Sequence, residues 1–564
     1  MAYGFFILLI VELIHVQMIS HRYYFDLSRD NRIRVVPLEG RRGNVFDRNG
    51  IILAENRPSF NVSVIPQEIK NESEFFDFLA EALQVSASSL QKRFQARKFA
   101  PFAPVLLMED ISRKTAIALE ENRFHFPGLI IEEGFRRNYP FGDLYAHVLG
   151  YVGKADRLNL EKLKEYGYTA QNTVGKSGVE EYYDSYLRGG VGGLQIEVNS
   201  RGQQIRMLSL KSPSAGQDLQ LTLDHRIQQI AAQLLSGRQG AIIVMDLDNG
   251  EILSLLSSPA FDPNVFSRPG MTQADAGYMF SNPSSPLLNR AISGQYPPGS
   301  VFKVIVSLAG LETEKIKPET TFFCPGYHPL GEGQFRCSHI HGDQDLSQAI
   351  AHSCNVYFFY AGSLVGAELM QRYARMLGLG YPTYIDLPYE SSGHIPSPIE
   401  RKLSRHQGWY KGDTFNMAIG QGEVLATPLQ LIRMMATVAN EGREVHPHVI
   451  RSIGAEAVHK YAAKNFIHLK QQNFQLVLEG LKSTVKLPTG TAHLLDLDGM
   501  AVSGKTGTAQ SSGNRDNHAW FVGFAQSEKN RIVFCVFLEF GGSSLNAVEI
   551  SRDLLLRLQQ EAIL

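Results

Sequence analysis

Strand-forming segments stand at both ends of the C-terminal part of this chain, around a middle that is mostly helical in pattern. The apolar runs 241–246 and 251–256 flank an Asp-Asn-Gly turn sequence, which favours a hairpin. Near the C-terminus, residues 518–524 and 532–540 are rich in β-branched and aromatic side chains. Strands that frame helices in this way favour an antiparallel sheet with helices packed on it. We therefore predict an α+β fold for this part of the chain.

The N-terminal part is organised differently. Residues 44–46 and 51–53 flank an Asn-Gly turn sequence and predict a hairpin. Residues 60–65 alternate between apolar and polar side chains, as a half-buried strand does. Residues 67–125 carry apolar side chains at helical spacing, so we predict amphipathic helices there.

Length and composition indicate a folded protein of several domains. The 564 residues correspond to about two to four domains, and 44% hydrophobic with 20% charged residues is ordinary for a folded chain. The run KSPSAG at 211–216 reads as a linker, so we predict an accessory domain over 21–215 and a second domain over 216–564. A net charge of −1 gives no support for a nucleic-acid partner, and four cysteines do not make a disulfide scaffold.

The first twenty residues read as a membrane anchor helix, 1–20. Residues 4–19 are apolar apart from Glu12, His15 and Gln17, and the run is shorter than the roughly 20 residues that span a bilayer. No small-residue cleavage site follows, which favours a retained anchor over a removed signal peptide. A buried or interfacial helix is the alternative.

Basic residues follow this anchor and do not precede it. They are Arg22, Arg29, Arg32 and Arg34. This is the reverse of the charge pattern expected when the body of a protein lies outside the cytoplasm. A shortened N-terminus that lacks a basic cytoplasmic segment would reconcile the charge pattern with the anchor.

A candidate nucleophile and its base lie one helical turn apart. Ser300 and Lys303 form the pattern SxxK at the start of a predicted buried helix, after a Pro-Pro-Gly sequence. A serine hydroxyl needs a base before it attacks, and a lysine desolvated by apolar neighbours can serve because its pKa falls. The helix N-terminus adds a positive field near the oxyanion.

Two further short motifs follow in the chain. Ser353 and Asn355 lie in an otherwise apolar segment, where Ser353 could relay a proton and Asn355 could hold a substrate amide. The alternative is a loop whose polar groups are satisfied by the backbone.

The third motif is a run of small and polar residues. Lys505, Thr506, Gly507 and Thr508 are predicted to form a strand that lets a substrate approach the backbone closely and that binds a carboxylate. The alternative is an exposed strand and turn. The spacing of a phosphate-binding loop is not met.

In this order, the three motifs resemble those of the penicillin-recognising serine acyltransferases. Longer segments resemble the pedestal and transpeptidase domains of class B penicillin-binding proteins, in particular the subgroup that acts in cell-wall elongation. The segments are RGNVFDRNG at 42–50, RNYPFGDLYAHVLGYVG at 137–153, GKSGVEEYYDSYLRG at 175–189, NRAISGQYPPGSVFK at 289–303, WYKGDTFNMAIGQG at 409–422, SGKTGTAQ at 503–510, FDPNVF at 261–266 and HAWFVGFA at 518–525.

The resemblance implies a pedestal, or dimerisation-like, domain over 21–215 and a D,D-transpeptidase domain over 216–564. Ser300 would attack the D-Ala-D-Ala carbonyl of a peptidoglycan stem, and β-lactams would be trapped on it. Lys303 would be the base, Ser353 the relay and Asn355 the orienter. The resemblance further implies that Lys505, Thr506 and Thr508 bind the terminal carboxylate, and that the amides of Ser300 and Thr508 form the oxyanion hole.

Location and partners also follow only from the resemblance. It implies a single-pass protein of the inner (cytoplasmic) membrane with its catalytic domain on the outer, periplasmic side. The expected partners are lipid-linked glycan, a SEDS-family glycan polymerase and a rod-shape scaffold protein. A carboxypeptidase or β-lactamase-type hydrolase remains an alternative, and so does a non-catalytic β-lactam sensor.

A cluster of metal-ligating residues surrounds the second motif. Cys324, Cys337, His341 and Cys354 would make a tetrahedral zinc set, with His341 preferred to His339. A zinc site at this location resembles those of some members of the cell-wall elongation subgroup of class B penicillin-binding proteins. A disulfide between the first two cysteines and buried free thiols are the alternatives. No cofactor is required for the chemistry itself. The fourth cysteine, in the run VFCVF, is predicted to lie in the core.

Overall fold

A computed structural model describes most of the chain. The described residues are 2–22, 33–38, 40–98, 101, 104–156, 173–198, 204–458, 465–511, 513 and 515–564. Two of the basic residues that follow the predicted anchor, Arg29 and Arg32, lie outside this set.

The strands and helices follow one another along the whole described chain. The strands are β1 Ile33–Leu38, β2 Val45–Phe46, β3 Ile52–Val64, β4 Val105–Ile111, β5 Leu129–Asn138, β6 Val152–Lys154, β7 Thr173–Gly175, β8 Gly192–Val198, β9 Gln204–Lys211, β10 Leu219–Leu221, β11 Gly240–Asp246, β12 Ile252–Ser258, β13 Phe322–Cys324, β14 Tyr327–Leu330, β15 Gly333–Arg336, β16 Gly342–Gln344, β17 Ile450–Ile453, β18 Glu456–Ala457, β19 Ala501–Ala509, β20 His518–Gln526 and β21 Arg531–Leu538. The α-helices are α1 Ala2–Ile14, α2 Glu72–Leu83, α3 Ala87–Arg97, α4 Arg113–Glu121, α5 Ala146–Leu149, α6 Gly178–Tyr182, α7 Asp184–Leu187, α8 His225–Leu234, α9 Asn264–Ser267, α10 Gln273–Ser281, α11 Lys303–Glu312, α12 Leu346–Ala351, α13 Asn355–Val365, α14 Ala367–Met376, α15 Pro398–Arg405, α16 Lys411–Ala418, α17 Pro428–Ala439, α18 Gln471–Lys486 and α19 Ser544–Gln560.

The C-terminal part is built on a five-stranded sheet. Its strand order is β12-β11-β21-β20-β19, and every neighbouring pair is antiparallel, as the sequence predicted. Along β11, Ile243 and Met245 pack in the core that contains α11 and α17, whereas Ile242 and Val244 pack with α8 and α19. Because successive side chains of a strand point to opposite faces, helices cover both faces of this sheet. The strand β19 lies at one edge.

A second sheet joins strands from both sides of the predicted boundary at residue 215. Its order is β18-β17-β10-β2-β3-β4, with β5 also paired to β3. The short strand β10 lies parallel to β2 and antiparallel to β17. Backbone hydrogen bonds therefore run without a break from the accessory part into the C-terminal part.

The prediction of helices throughout residues 67–125 is wrong in part. The helices α2, α3 and α4 are present, but β4 lies between the last two and pairs with β3. Val105 and Leu107 are buried on the side that packs with Phe76 and Phe94, whereas Leu106 is only half-buried. This alternation has a period of two, which places the segment in a sheet.

The predicted anchor segment is helical. The helix α1 continues as a π-helical turn over His15–Ile19, and the apolar side chains of both are exposed. Among the residues that the structure describes, no helix combines the length and the apolar character needed to cross a bilayer.

Candidate active site

Ser300 lies where a tight turn enters the buried helix α11. It is the second residue of a 3₁₀ turn, Gly299–Phe302. Gly299 has a φ of +56° and donates its amide to Gly420 O at 3.0 Å. A Cβ atom at this position would lie 2.7 Å from Thr508 O. Glycine therefore allows the turn to sit against β19, which brings Ser300 beside the predicted KTG strand.

Lys303 is fully buried at the start of α11, directly below this turn. Its Nζ donates to Ser353 O at 2.7 Å and to Asn355 Oδ1 at 2.7 Å, and it lies 3.2 Å from Ser353 Oγ. Burial lowers the pKa of Lys303 from 10.5 to about 8, although the thiols of Cys337 and Cys354 act in the opposite direction. The charged amine is therefore only weakly favoured near neutral pH.

The hydrogen bonds of Lys303 determine where its lone pair can point. Both carbonyl oxygens can only accept, so they hold two of the N–H groups. When the Lys303 amine is neutral, its lone pair is then free to accept a hydrogen bond from a hydroxyl group. Within the described chain, Nζ forms hydrogen bonds with Ser353 and Asn355 and none with Ser300. The structure thus joins Lys303 to the second motif by hydrogen bonds.

Ser353 occupies the end of helix α12 in a left-handed conformation, with a φ of +55°. Its amide donates to Ile350 O at 3.2 Å, and the next amide, of Cys354, donates to Ala349 O at 3.0 Å. This pair of bonds is the Schellman arrangement, in which the left-handed position is usually glycine. A serine here accepts backbone strain and places a hydroxyl beside Lys303.

Asn355 begins helix α13 and connects three parts of the site. Its side-chain amide donates to Arg336 O at 3.1 Å, and its backbone amide donates to Cys337 Sγ at 3.1 Å. Its side-chain oxygen, Oδ1, accepts from Lys303 Nζ. The residue before it, Cys354, is the N-cap of α13 and accepts from the Tyr357 amide at 3.5 Å.

The predicted KTG motif lies on the edge strand β19. Lys505 is fully buried, and burial together with the nearby Lys303 charge holds its pKa well below the usual value. Its Nζ lies 3.3 Å from Thr506 O. A Cβ atom at Gly507 would lie 2.9 Å from Pro298 O, so glycine lets β19 approach the Ser300 turn.

The open edge of β19 carries a contact that the sequence did not predict. The side chain of Gln421 donates to Thr508 O at 3.1 Å and accepts from the Gln510 amide at 3.2 Å. The N–H and C=O groups of one strand residue point to the same side, so the Thr508 amide also points toward the open edge. The Ser300 amide lies in the first turn of a helix, where no intrahelical acceptor is available. A Cβ atom at Gly299, the residue before Ser300, would lie 3.3 Å from Thr508 N, so the Ser300 turn lies close to the Thr508 amide.

The candidate metal ligands come together behind the second motif. The ligand atoms of Cys324, Cys337, His341 and Cys354 lie within 4.8 Å of one another. His341 Nδ1 lies 3.6 Å from Cys324 Sγ and 3.5 Å from Cys337 Sγ. Zinc bonds of about 2.3 Å to sulfur and about 2.0–2.1 Å to nitrogen, at a tetrahedral angle, separate these atoms by about 3.6 Å. The donor set therefore fits zinc.

The same cluster also bears on the two alternatives to zinc, a disulfide and buried free thiols. All four cysteines are free thiols, and Cys324 and Cys354 are buried. A hydrogen bond from Cys354 lowers the pKa of the Cys337 thiol and raises that of Cys354 itself, so a thiolate is favoured at Cys337. The side chain of His339 is not a member of the cluster, although its backbone oxygen approaches Cys324 Sγ at 3.6 Å. Cys535 lies fully buried in β21.

Comparisons with known proteins show the family to which this chain is related. A family model described as the penicillin binding protein transpeptidase domain matches residues 240–556, and one described as the penicillin-binding protein dimerisation domain matches residues 37–221. The peptidoglycan D,D-transpeptidase MrdA of Acinetobacter baumannii is 34% identical, over 95% of this chain and 83% of that protein. The protein of the same name from Escherichia coli K12 is 30% identical, over 97% of this chain and 91% of that protein.

Solved structures are similar over nearly the whole chain. One is the complex between penicillin-binding protein PBP2 and MreC from Helicobacter pylori, with 31% identity and a TM-score of 0.83 over 94% of this chain and all of that one. Another belongs to a peptidoglycan synthase complex that coordinates polymerization and crosslinking, with 30% identity and a TM-score of 0.75 over 98% of this chain and 96% of that one.

Proposed function

This chain belongs to the penicillin-binding protein family, and from that membership we propose that it is a peptidoglycan D,D-transpeptidase acting in cell-wall elongation. One observation carries the assignment of roles. The buried Lys303 links the Ser300 turn to Ser353 and Asn355, and the same turn packs closely against the edge strand β19. A nucleophile, a base and a strand edge that can hold an extended peptide then lie together.

In the first step, Ser300 Oγ attacks the carbonyl carbon between the last two D-alanines of a stem peptide. Its proton passes to the neutral Lys303 amine, directly or through Ser353, and from there to the departing D-alanine nitrogen. The C–N bond breaks as the ester forms, so free D-alanine leaves with one proton gained. The hydroxyl of Ser353, 3.2 Å from Lys303 Nζ, is the relay.

Two other groups act on the charges of the substrate. The amides of Ser300 and Thr508 stabilise the oxyanion of the tetrahedral intermediate. Lys505, Thr506 and Thr508 bind the terminal carboxylate, and Gly507 keeps the strand close to the Ser300 turn. Asn355 orients a substrate amide. In the second step an amine of a neighbouring stem attacks the ester carbonyl. The new C–N bond forms, the C–O bond to Ser300 breaks, and a proton of the amine returns to Ser300 Oγ through Lys303.

Labelling with a fluorescent penicillin tests the nucleophile. Ser300→Ala should abolish covalent labelling. The matched control is Ser307→Ala, which should still be labelled. Ser307 lies on the same helix, and its hydroxyl donates to Lys303 O at 2.8 Å. Persistent labelling of Ser300→Ala would show that another residue is the nucleophile. Crosslinking of lipid-linked glycan by the purified protein separates a transpeptidase from a hydrolase or a sensor.

We further propose that the cluster of Cys324, Cys337, His341 and Cys354 holds a structural zinc ion. When bound, zinc would crosslink the segment that contains strands β13 to β16 to the start of α13. The four ligand residues would then keep Ser353 and Asn355 in place against Lys303. Metal analysis of the purified protein tests this, and a protein without zinc would refute it.

Location and partners complete the proposal. The exposed apolar side chains of α1 support a single-pass anchor in the inner membrane, with the catalytic domain in the periplasm. Fractionation with and without residues 1–20 tests the anchor. We propose a SEDS-family polymerase as a partner because a similar chain belongs to a peptidoglycan synthase complex. We propose a rod-shape scaffold as the second partner because the similar Helicobacter pylori protein is bound to MreC. Crosslinking that is unchanged by a co-purified polymerase would count against the first partner.

A further inference from the structure

A short turn connects the second motif to the KTG strand. The turn comprises residues 489–491, between α18 and β19, and we call it the bridging turn. On one side, Thr489 Oγ1 lies 2.9 Å from His352 Nε2, and the Thr491 amide donates to Ala351 O at 3.2 Å. On the other side, Thr491 Oγ1 lies 2.8 Å from Thr506 Oγ1. A Cβ atom at Gly490 would lie 2.3 Å from Thr484 O, so the turn is held closely.

The direction of the hydrogen bond between the two hydroxyls follows from what each can donate. A hydroxyl has one proton, and a carboxylate can only accept. When Thr506 donates its proton to the carboxylate of the donor stem, it must accept across the 2.8 Å contact. Thr491 is then the donor.

Thr491 can supply this proton at little cost. Its other acceptor, Ala351 O, is 3.4 Å from Thr491 Oγ1 and already accepts from the Thr491 amide. No buried carbonyl is left without a partner when the hydroxyl turns toward Thr506.

We propose that Thr491 is a positioning residue that orients the Thr506 hydroxyl toward the terminal carboxylate of the donor peptide. The proposal rests on the proposed function, because it takes Thr506 as a ligand of that carboxylate. It differs from a packing role in a measurable way, since its effect requires a carboxylate on the ligand.

The experiment compares a fluorescent penicillin with its methyl ester, which lacks the negative charge. For Thr491→Val, the second-order acylation rate of Ser300 by the penicillin should fall about tenfold, which corresponds to ~1.4 kcal/mol. The rate with the ester should change by less than about twofold. Thr491→Ser keeps the hydroxyl and should restore the rate with the penicillin.

Thr489→Val is the matched control, because it disturbs the same turn through His352 without removing a partner of Thr506. Its ratio of penicillin to ester rates should equal that of the wild type. Equal losses with both ligands in Thr491→Val, or no loss with either, would overturn the proposal. A wild-type protein that is not labelled at Ser300 would instead refute the proposed function, so the two failures can be told apart.

Discussion

At the scale of single residues, the site combines a strained backbone position with a desolvated amine. Ser353 has a φ of +55°, where side chains other than glycine are disfavoured. Lys303 is buried beneath the Ser300 turn, and burial lowers its pKa to about 8. Both features reduce stability and both bring a reactive group to one point, which is typical of functional sites.

Substitution of Ser353 should separate strain from chemistry. Ser353→Gly relieves the left-handed strain, whereas Ser353→Ala retains it, and both remove the hydroxyl. We expect the free energy of unfolding of the glycine variant to be about 1 kcal/mol higher than that of the alanine variant. Both should acylate with penicillin about 100-fold more slowly than the wild type. Denaturant unfolding and acylation kinetics measure the two effects. A glycine variant that keeps wild-type kinetics would show that the hydroxyl is not a relay.

The pH dependence of acylation should follow Lys303. Only the neutral amine can accept a proton, and with a pKa of about 8 roughly a tenth of the amines are neutral at pH 7. Below this pKa, the acylation rate should rise about tenfold per pH unit, and it should level off above it. Rates of penicillin acylation between about pH 6 and 9.5 test this. Lys303→Arg, which cannot lose its proton, should be slow at every pH. A flat or falling profile would contradict Lys303 as the base.

At the scale of elements, the second motif depends on the junction between α12 and α13. The left-handed residue that follows α12 and the N-cap of α13 are adjacent residues, Ser353 and Cys354. Cysteine is a weak hydrogen-bond acceptor compared with the serine or aspartate that usually begins a helix. Its membership in the cluster with Cys324, Cys337 and His341 gives this N-cap another role.

Loss of the metal should therefore affect the junction. Cys324→Ser removes a ligand that lies on β13, and we expect lower zinc content, a lower unfolding temperature and slower acylation. Chelation of the wild type should have the same effects, since metal binding is coupled to folding. Cys535→Ala, a buried thiol in β21 outside the cluster, is the matched control and should keep its zinc. Equal zinc content in both variants would contradict the assignment.

The sequence predicted those parts of the fold and site that depend on neighbouring residues. The hairpin of β11 and β12 and the helical start at Ser300 follow from turn residues and apolar runs close in the chain. Gln421 and Thr491 were missed because they act on β19 from 87 and 15 residues away, through side chains that have no local pattern. The strand β4 was missed because its apolar residues also fit a helical face. Contacts that only the assembled fold creates leave no periodic signal.

At the scale of the whole molecule, the two parts of the chain share a core as well as a sheet. One continuous set of buried apolar residues includes Val45 and Tyr183 from the accessory part and Val301 and Leu431 from around the site. The Tyr183 hydroxyl also donates to the buried Asp386 at 2.7 Å. We therefore expect both parts to unfold together.

Glu180 offers a test of this cooperativity. It is fully buried and accepts from Arg42 Nε at 2.6 Å and from Arg137 Nε at 2.5 Å. Glu180→Gln removes the negative charge and should lower the free energy of unfolding by about 3 kcal/mol. Thermal loss of ellipticity and of penicillin labelling should shift to the same lower temperature. The matched control is Arg57→Gln, in an exposed ion pair with Asp110, which should cost less than about 1 kcal/mol. Labelling that survives the loss of ellipticity would show that the parts unfold separately.

The sheet that crosses the predicted boundary at residue 215 also has a mechanical consequence. A flexible linker absorbs displacement, whereas strands joined edge to edge transmit it. The strand β10 pairs with β2 along one edge and with β17 along the other, so a tilt of the accessory part loads a row of backbone hydrogen bonds that leads into the catalytic part. Such a row is stiff in shear because its bonds bear the load together. The accessory part is therefore joined to the catalytic part by paired strands, and a force applied to one part is carried directly into the other.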